Sequence, residues 1–161
     1  MKKVADELRQ IVKQVTPMLL GIENDAGLAR RPTPKKWSRQ EILGHLIDSA
    51  CNNQQKFVRM MLQSHLEFPG YRQDDWVDAQ QWAQANWQEM VGLWSAYNQH
   101  VAFLIEHVDE SLLQNSISID GTGPFKLEFI MPDYVEHLKH HLKQIFPDIE
   151  LTNKFVNVYN A

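Results

Sequence analysis

A helical period in the apolar residues, repeated over four long stretches, constrains this chain more than any other feature. In the clearest stretch, Ala83, Trp87, Met90, Trp94, Tyr97, Val101, Leu104 and Val108 fall three or four apart, the spacing of one buried helix face. That predicts a helix from about Asp78 to Val108. An earlier stretch runs from about Lys3 to Leu28 with Val4, Leu8, Ile11, Val12 and Val15 on one stripe, and Pro17 inside it predicts a kink or a restart. The loop "ARRPTPKK" separates it from a second helix that opens at "WSRQEI". There Ser38 is a good N-cap, Glu41 completes a capping box, and Trp37 and Ile42 are placed as a hydrophobic staple. The apolar face of this helix continues to about His65, and "EFPGYRQDD" reads as a loop with a Pro-Gly turn. A fourth helix is expected to begin near Pro132, a favoured first-turn residue, and to stop before Pro147.

Between the last two helices, "SISI" and "FKLEFI" alternate around Asp-Gly-Thr-Gly-Pro, which predicts a small irregular hairpin. Residues 148–161 read as a tail packed on the surface. There is no βαβ alternation and no internal repeat. The expected fold class is therefore all-α, an antiparallel four-helix bundle in a single domain over residues 1–161.

Composition narrows the function. A chain of 161 residues has room for one substantial core, and 43% hydrophobic with 22% charged residues is ordinary for a globular protein. A net charge of −4 without any Lys/Arg block leaves no footprint for nucleic acid. No apolar run approaches the roughly 20 residues of a membrane span, and the opening "MKKVADELRQIVKQV" lacks a signal-peptide core. The single cysteine, Cys51, fits a reducing compartment. A cytoplasmic protein with no membrane or nucleic-acid partner is expected.

Chemistry concentrates in "EHLKHHLKQI", residues 136–145. On a helix His137 and His141 share a face, one turn apart, flanked by Tyr134, Leu138 and Ile145, while His140 falls on the opposite side with Glu136, Lys139 and Lys143. An imidazole pair four residues apart can reach one divalent ion, and it can equally be two half-buried polar residues. His45 in "EILGHLIDSACNN" is a third candidate. It lies on a stripe with Asp48, Ser49 and Asn52 at the edge of the apolar face, where polar groups need partners. Asp48, one turn on, is placed to orient it. A satisfied core histidine is the competing reading. Gly44 beside it points to close approach of a neighbouring element. His100 and His107 lie about 10 Å apart along a helix, too far to share an ion, and His65 reads as a solvated helix end.

The segments "KKWSRQEILGHLIDSACNNQQKFVRMML", "FPGYRQDDWV" and "LEFIMPDYVEHLKHHLKQI", in that order, resemble the DinB/YfiT-like superfamily of metal-dependent enzymes from about Leu8 to Ile145. The resemblance implies a four-helix bundle, a three-histidine centre for a divalent ion such as zinc or nickel, and a homodimer. Its ligand positions fall on His45, His137 and His141, and His140 is not among them. The implied activity is metal-dependent chemistry on a small molecule. Transfer involving a low-molecular-weight thiol (bacillithiol, mycothiol or glutathione) is favoured over hydrolysis, with a non-catalytic, stress-related metal-binding protein as the alternative. No general base is assigned. Asp74 and Asp75 are loop candidates, and Tyr71, Trp76 and Trp37 are aromatics that either shape a pocket mouth or simply pack. An unperturbed imidazole titrates near pH 6.5, so proton competition for a metal is expected between roughly pH 6 and 5.

Overall fold

A computed structural model describes residues 1–158. Helix α1 (Lys2–Gly21) is followed by α2 (Arg39–Leu62), strand β1 (His65–Phe68), the short helix α3 (Gln73–Ala79), α4 (Trp87–Glu106), strands β2 (Ser116–Ile119) and β3 (Thr122–Lys126), and α5 (Leu127–Ile145). The four long helices form a bundle. The sheet of three short strands makes "all-α" an approximation.

The bundle is built from two antiparallel pairs. Helix α1 lies along α4 in opposite sense: Arg9 bonds Glu106, Thr16 reaches Ser95, and Trp87 Nε1 donates to Leu19 O. Helices α2 and α5 are likewise antiparallel. Between the pairs, however, α2 and α4 run parallel. Gln40 at the start of α2 donates to Trp82 O and Ala85 O just ahead of α4, while Asn115 beyond α4 donates to Met60 O at the end of α2. The expectation of a simple antiparallel bundle is corrected to this extent. The segment from β1 to Asn86 carries the chain back to the starting end of α2, and for the same reason β1 pairs parallel to β2, His65 opposite Ser116.

The capping box at α2 is present, Glu41 N donating to Ser38 Oγ at 3.2 Å and Ser38 N to Glu41 Oε2 at 2.8 Å. Arg31 grips the same carboxylate, Nε to Oε1 at 2.9 Å and Nη2 to Oε1 at 2.6 Å. Burial would push the Glu41 carboxyl up, but Arg31 and the Ser38 backbone outweigh it and hold it below the usual range.

Several expected boundaries move. Helix α1 runs through Pro17 without a restart and stops at Gly21. The third helical stretch divides into α3, a 3₁₀ turn at Trp82–Gln84, and α4. Helix α5 starts at Leu127, so Pro132 lies inside it. The early start is possible because Leu127 N and Glu128 N, orphan donors of a first turn, bond Asn115 O and Leu113 O. The hairpin ends at Lys126, and "LEFI" is helix rather than strand. Asp120 and Gly121 link β2 to β3, both in the left-handed region (φ 48 and 78), as a two-residue Asp-Gly hairpin turn demands. The tail beyond Pro147 has neither helix nor strand over its described residues, and 159–161 lie outside them.

Gly44 fulfils the expectation of close approach. A methyl group there would overlap Trp82 Cγ and Cδ1 and lie 2.7 Å from Trp82 Cβ. Gly44→Ala should therefore cost about 2 kcal/mol of stability through overpacking, although alanine is the better helix former. Gly92→Ala in α4, where nothing lies within 4 Å, should leave stability unchanged or raise it. Urea unfolding of both variants checks the pair.

Candidate metal centre

Helices α2 and α5 meet in a seam lined by two helical rows. Helix α2 contributes His45, Ser49, Asn53 and Lys56; α5 contributes Asp133, His137 and His141. Steps of three or four residues within each row keep one face turned to the seam, and the antiparallel sense sets His45 opposite His141. His45 is 0% exposed and His141 8%, while His137 is half-buried. His137 Nε2 lies 3.3 Å from His45 Nε2 and 3.1 Å from His141 Nε2. Nitrogens held tetrahedrally at metal–nitrogen distances of about 2.0–2.1 Å are about 3.4 Å apart, so the spacing fits a common ion. Among the described residues this is the one cluster of three potential ligands, all its ligand atoms within 4.8 Å of one another.

The surrounding hydrogen bonds fix which nitrogens face inward. Gln144 Nε2 is directed at His140 Nε2 at 3.1 Å, which turns Gln144 Oε1 towards His141 Nδ1 at 3.0 Å. His141 Nδ1–H donates to that oxygen, leaving the Nε2 lone pair for the centre. Ser49 Oγ lies 3.3 Å from His137 Nδ1 and engages the outer nitrogen of that ring, leaving Nε2 turned to the cluster. His45 Nδ1 is buried with no hydrogen-bond partner among the described residues; its ring is held by Trp37, whose centroid is 4.8 Å away. In this arrangement the Nε2 atoms of His45, His137 and His141 face one another at close range. A divalent ion placed among them would accept a lone pair from each neutral ring.

All three rings are held neutral. Burial, then the neighbouring His141, pushes His45 down to about 3. Burial brings His141 to about 4, and burial with the adjoining rings holds His137 well below its ordinary value. A neutral imidazole is the form that ligates. The expected competition between pH 6 and 5 is therefore displaced downward.

Other expectations meet different outcomes. Asp48 does not orient His45. It accepts from Gln80 Nε2 at 2.6 Å and Trp82 Nε1 at 3.1 Å, and so pins the segment around the 3₁₀ turn against α2. His140 does not stand clear in water: its ring edges onto His141 at 5.0 Å, and it lines the same cleft. Lys139, placed by periodicity on the wet side, is 5% exposed. Its Nζ lies 2.7 Å from Glu7 Oε1 and 2.6 Å from Glu136 Oε1. Burial lowers its pKa, but the two carboxylates outweigh that and hold it raised.

Trp37 lies against His45 and His141 instead of acting only as a staple. Tyr71 and Asp74 line the cleft; Trp76 packs on Tyr71 at 4.8 Å, and Asp75 pairs with Arg72. His65 begins β1 and bonds Ser116 and Glu67, and His107 stacks on Phe103. The cleft itself has a volume of about 890 Å³. Among the lining residues that sequence did not mark as pocket residues are Lys56, Asp133, His140 and Phe155. Lys56 and Asp133 continue the histidine rows and were findable by extending them. Phe155 comes from the irregular tail, held by Lys154 N donating to Glu136 Oε2, and edges onto His137 at 5.1 Å; no periodic signal marks it.

Fold and site together define a helical bundle with a tri-histidine cluster at the wall of a cleft. The chain belongs to the DinB superfamily, whose model matches residues 2–145. Its structure is similar to that of YfiT from Bacillus subtilis, with a TM-score of 0.81 and 18% identity over 90% of this chain and 83% of that one. That protein is described as "a probable metal-dependent hydrolase with an unusual four-helix bundle topology". No curated protein matches the sequence. No helix of the described residues is long and apolar enough to cross a membrane.

Elemental analysis of untagged protein should show metal content falling sharply in His45→Ala, His137→Ala and His141→Ala, and holding in His140→Ala. Equal loss in the fourth variant would remove His140 from its bystander position. The buried rings also predict how the metal-free protein responds to acid. An unfolded chain protonates its histidines near pH 6.5, whereas these rings resist protonation until about pH 4 or below, so below about pH 6.5 the unfolded state binds more protons. Stability should be full above that pH and fall on acidification, by up to about 2 kcal/mol per ring at pH 5. Urea unfolding between pH 7.5 and 5 should show this slope, and it should flatten in His45→Asn.

Proposed function

We propose that this chain is a metal-dependent enzyme that hydrolyses a small polar molecule bound in the cleft between α2 and α5. One observation carries the reading: three neutral imidazoles converge their Nε2 atoms at the wall of a cleft of about 890 Å³. Three histidines leave a coordination position open, the pattern of catalytic rather than structural sites. When bound there, a divalent ion supplies Lewis-acid polarisation and acidifies a ligand water or thiol. The chain's own part is to hold the rings. Ser49 and Gln144 set two of them, and Trp37 packs the third while narrowing access from the side of the α1–α2 loop. Phe155 lines the cleft and packs edge-on against His137.

Hydrolysis is placed ahead of thiol transfer because the similar B. subtilis protein is described as "a probable metal-dependent hydrolase". Thiol transfer is retained as a second reading, favoured by the size of the cleft. At about 890 Å³ it lies near the upper end for small-molecule sites and has room for two reactants side by side. Both readings use the same metal face.

The test is turnover by untagged protein loaded with zinc, nickel, cobalt or manganese. One arm offers activated esters and amides, and the other a model electrophile with each low-molecular-weight thiol. Metal-dependent hydrolysis that vanishes in His137→Ala and persists in His65→Ala is the expected result. Product that forms only with a thiol present would move the assignment to transfer. Metal bound stoichiometrically with no turnover in either arm would make this a metal-binding helical protein instead.

A further inference from the structure

Beyond the histidines the two rows of the seam continue to a pair of opposite charges. Lys56 lies seven residues past Ser49, about 10 Å along α2, and Asp133 one turn before His137, about 6 Å along α5. Both line the cleft. Resting on the enzyme reading above, we propose that this far end recognises an amino-acid group: the substrate is a short molecule ending in adjacent ammonium and carboxylate charges, Lys56 holding the carboxylate and Asp133 the ammonium.

The other charges of the cleft, Arg72, Asp74 and Asp120, are all exposed and less suited to that task. Arg72 pairs with Asp75 at 3.2 Å on a side chain that is 84% exposed, and Asp120 Oδ1 accepts from Gly70 N at 2.8 Å. Lys56 is half-buried, with Nζ 5.7 Å from the centroid of the Phe68 ring. Burial lowers its pKa to about 8 while Asp133 opposes the fall, so it remains charged at neutral pH in a site drier than the surface. Charges there interact more strongly than in water. A bare anion on Lys56 would meet the carboxylate of Asp133, and a bare cation on Asp133 would meet the ammonium of Lys56. A ligand carrying both signs satisfies each, exchanging with the contacts the two side chains already make. The helical rises also set a length. The charged end and the reacting end lie roughly 6–10 Å apart, the span of a side-chain-modified amino acid.

Four hydroxamates test this, because a hydroxamate binds an accessible divalent ion whatever the reaction. Glutamate γ-hydroxamate carries both charges, glutaric acid monohydroxamate only the carboxylate, 4-aminobutanohydroxamate only the ammonium, and butanohydroxamate neither. Calorimetric titration into the zinc-loaded protein should find glutamate γ-hydroxamate tightest, with a loss of about tenfold on removing either charge, the size of one charge-assisted contact. Lys56→Met should abolish the gain from the carboxylate and spare that from the ammonium, and Asp133→Asn should do the converse. Butanohydroxamate should bind all three proteins within about twofold, which shows that fold and metal are intact. Equal affinity for the four compounds in the unmodified protein overturns the amino-acid end and leaves the metal reading standing. So does a uniform loss in either variant, butanohydroxamate included, because the pair would then serve the fold. Failure of every hydroxamate to bind protein that retains its zinc overturns the enzyme reading and this inference with it.

Discussion

The register between α2 and α5 is the constraint on which the site depends. His45 and His137 are 92 residues apart in sequence, yet their Nε2 atoms lie 3.3 Å apart, and a slip of one residue on either helix would rotate its row out of the seam by about 100°. The register is fixed from outside the seam. At the start of α2, Ser38, Glu41 and Arg31 close the first turn, and Gly44 lets Trp82 press on the helix within one turn of His45. On α5, the Lys139 ammonium between Glu7 and Glu136 ties that helix to α1 one turn from His137 and His141. These groups lie outside the cluster, yet they decide whether its three rings meet.

The same constraint explains the polarity of the seam. Ser49, Asn52 and Asp48 are buried on one side of α2, in positions that an ordinary bundle would fill with leucine. Each has a task. Ser49 sets a ring of the cluster, Asp48 anchors Gln80 and Trp82, and Asn52 Nδ2 returns to Asp48 O. The apolar core is shared by both pairs, with Leu8, Leu19, Trp94 and Ile105 of α1 and α4 almost fully enclosed together with Leu46, Phe57, Leu138 and Leu142 of α2 and α5. All four helices supply apolar cohesion, and α2 and α5 divide their surface between that core and a seam of polar groups in a fixed arrangement.

What could be read from the sequence follows this division. Period and capping identified every long helix, because both are local, and the histidine steps identified the cluster, because helical phase is local too. The parallel sense of α2 and α4 was not legible. It depends on β1, α3 and a 3₁₀ turn folding within a stretch that looked like loop running into helix. The α5 start was misplaced because Pro132 is a good first-turn residue by itself, while the donors of the true first turn are satisfied by Leu113 and Asn115, which no local rule connects to it. Asp48 was assigned to His45 by its spacing and is taken instead by Gln80 and Trp82, partners more than thirty residues away. The burial of Lys139 likewise depends on Glu7, at the far end of the chain.

The wide separation of the ligands also governs the order of events as the chain folds. Helix α5 is among the last elements to be synthesised, and the antiparallel pairs bring together segments separated by most of the chain. Closing such loops carries an entropic cost before any contact rewards it, and topologies dominated by distant contacts fold slowly. No hairpin of neighbouring helices contains the three rings. The cluster is consequently a product of the finished bundle, and an ion bound there would clamp helices already docked, so the rate of metal capture by refolding protein would read out when the last helix docks.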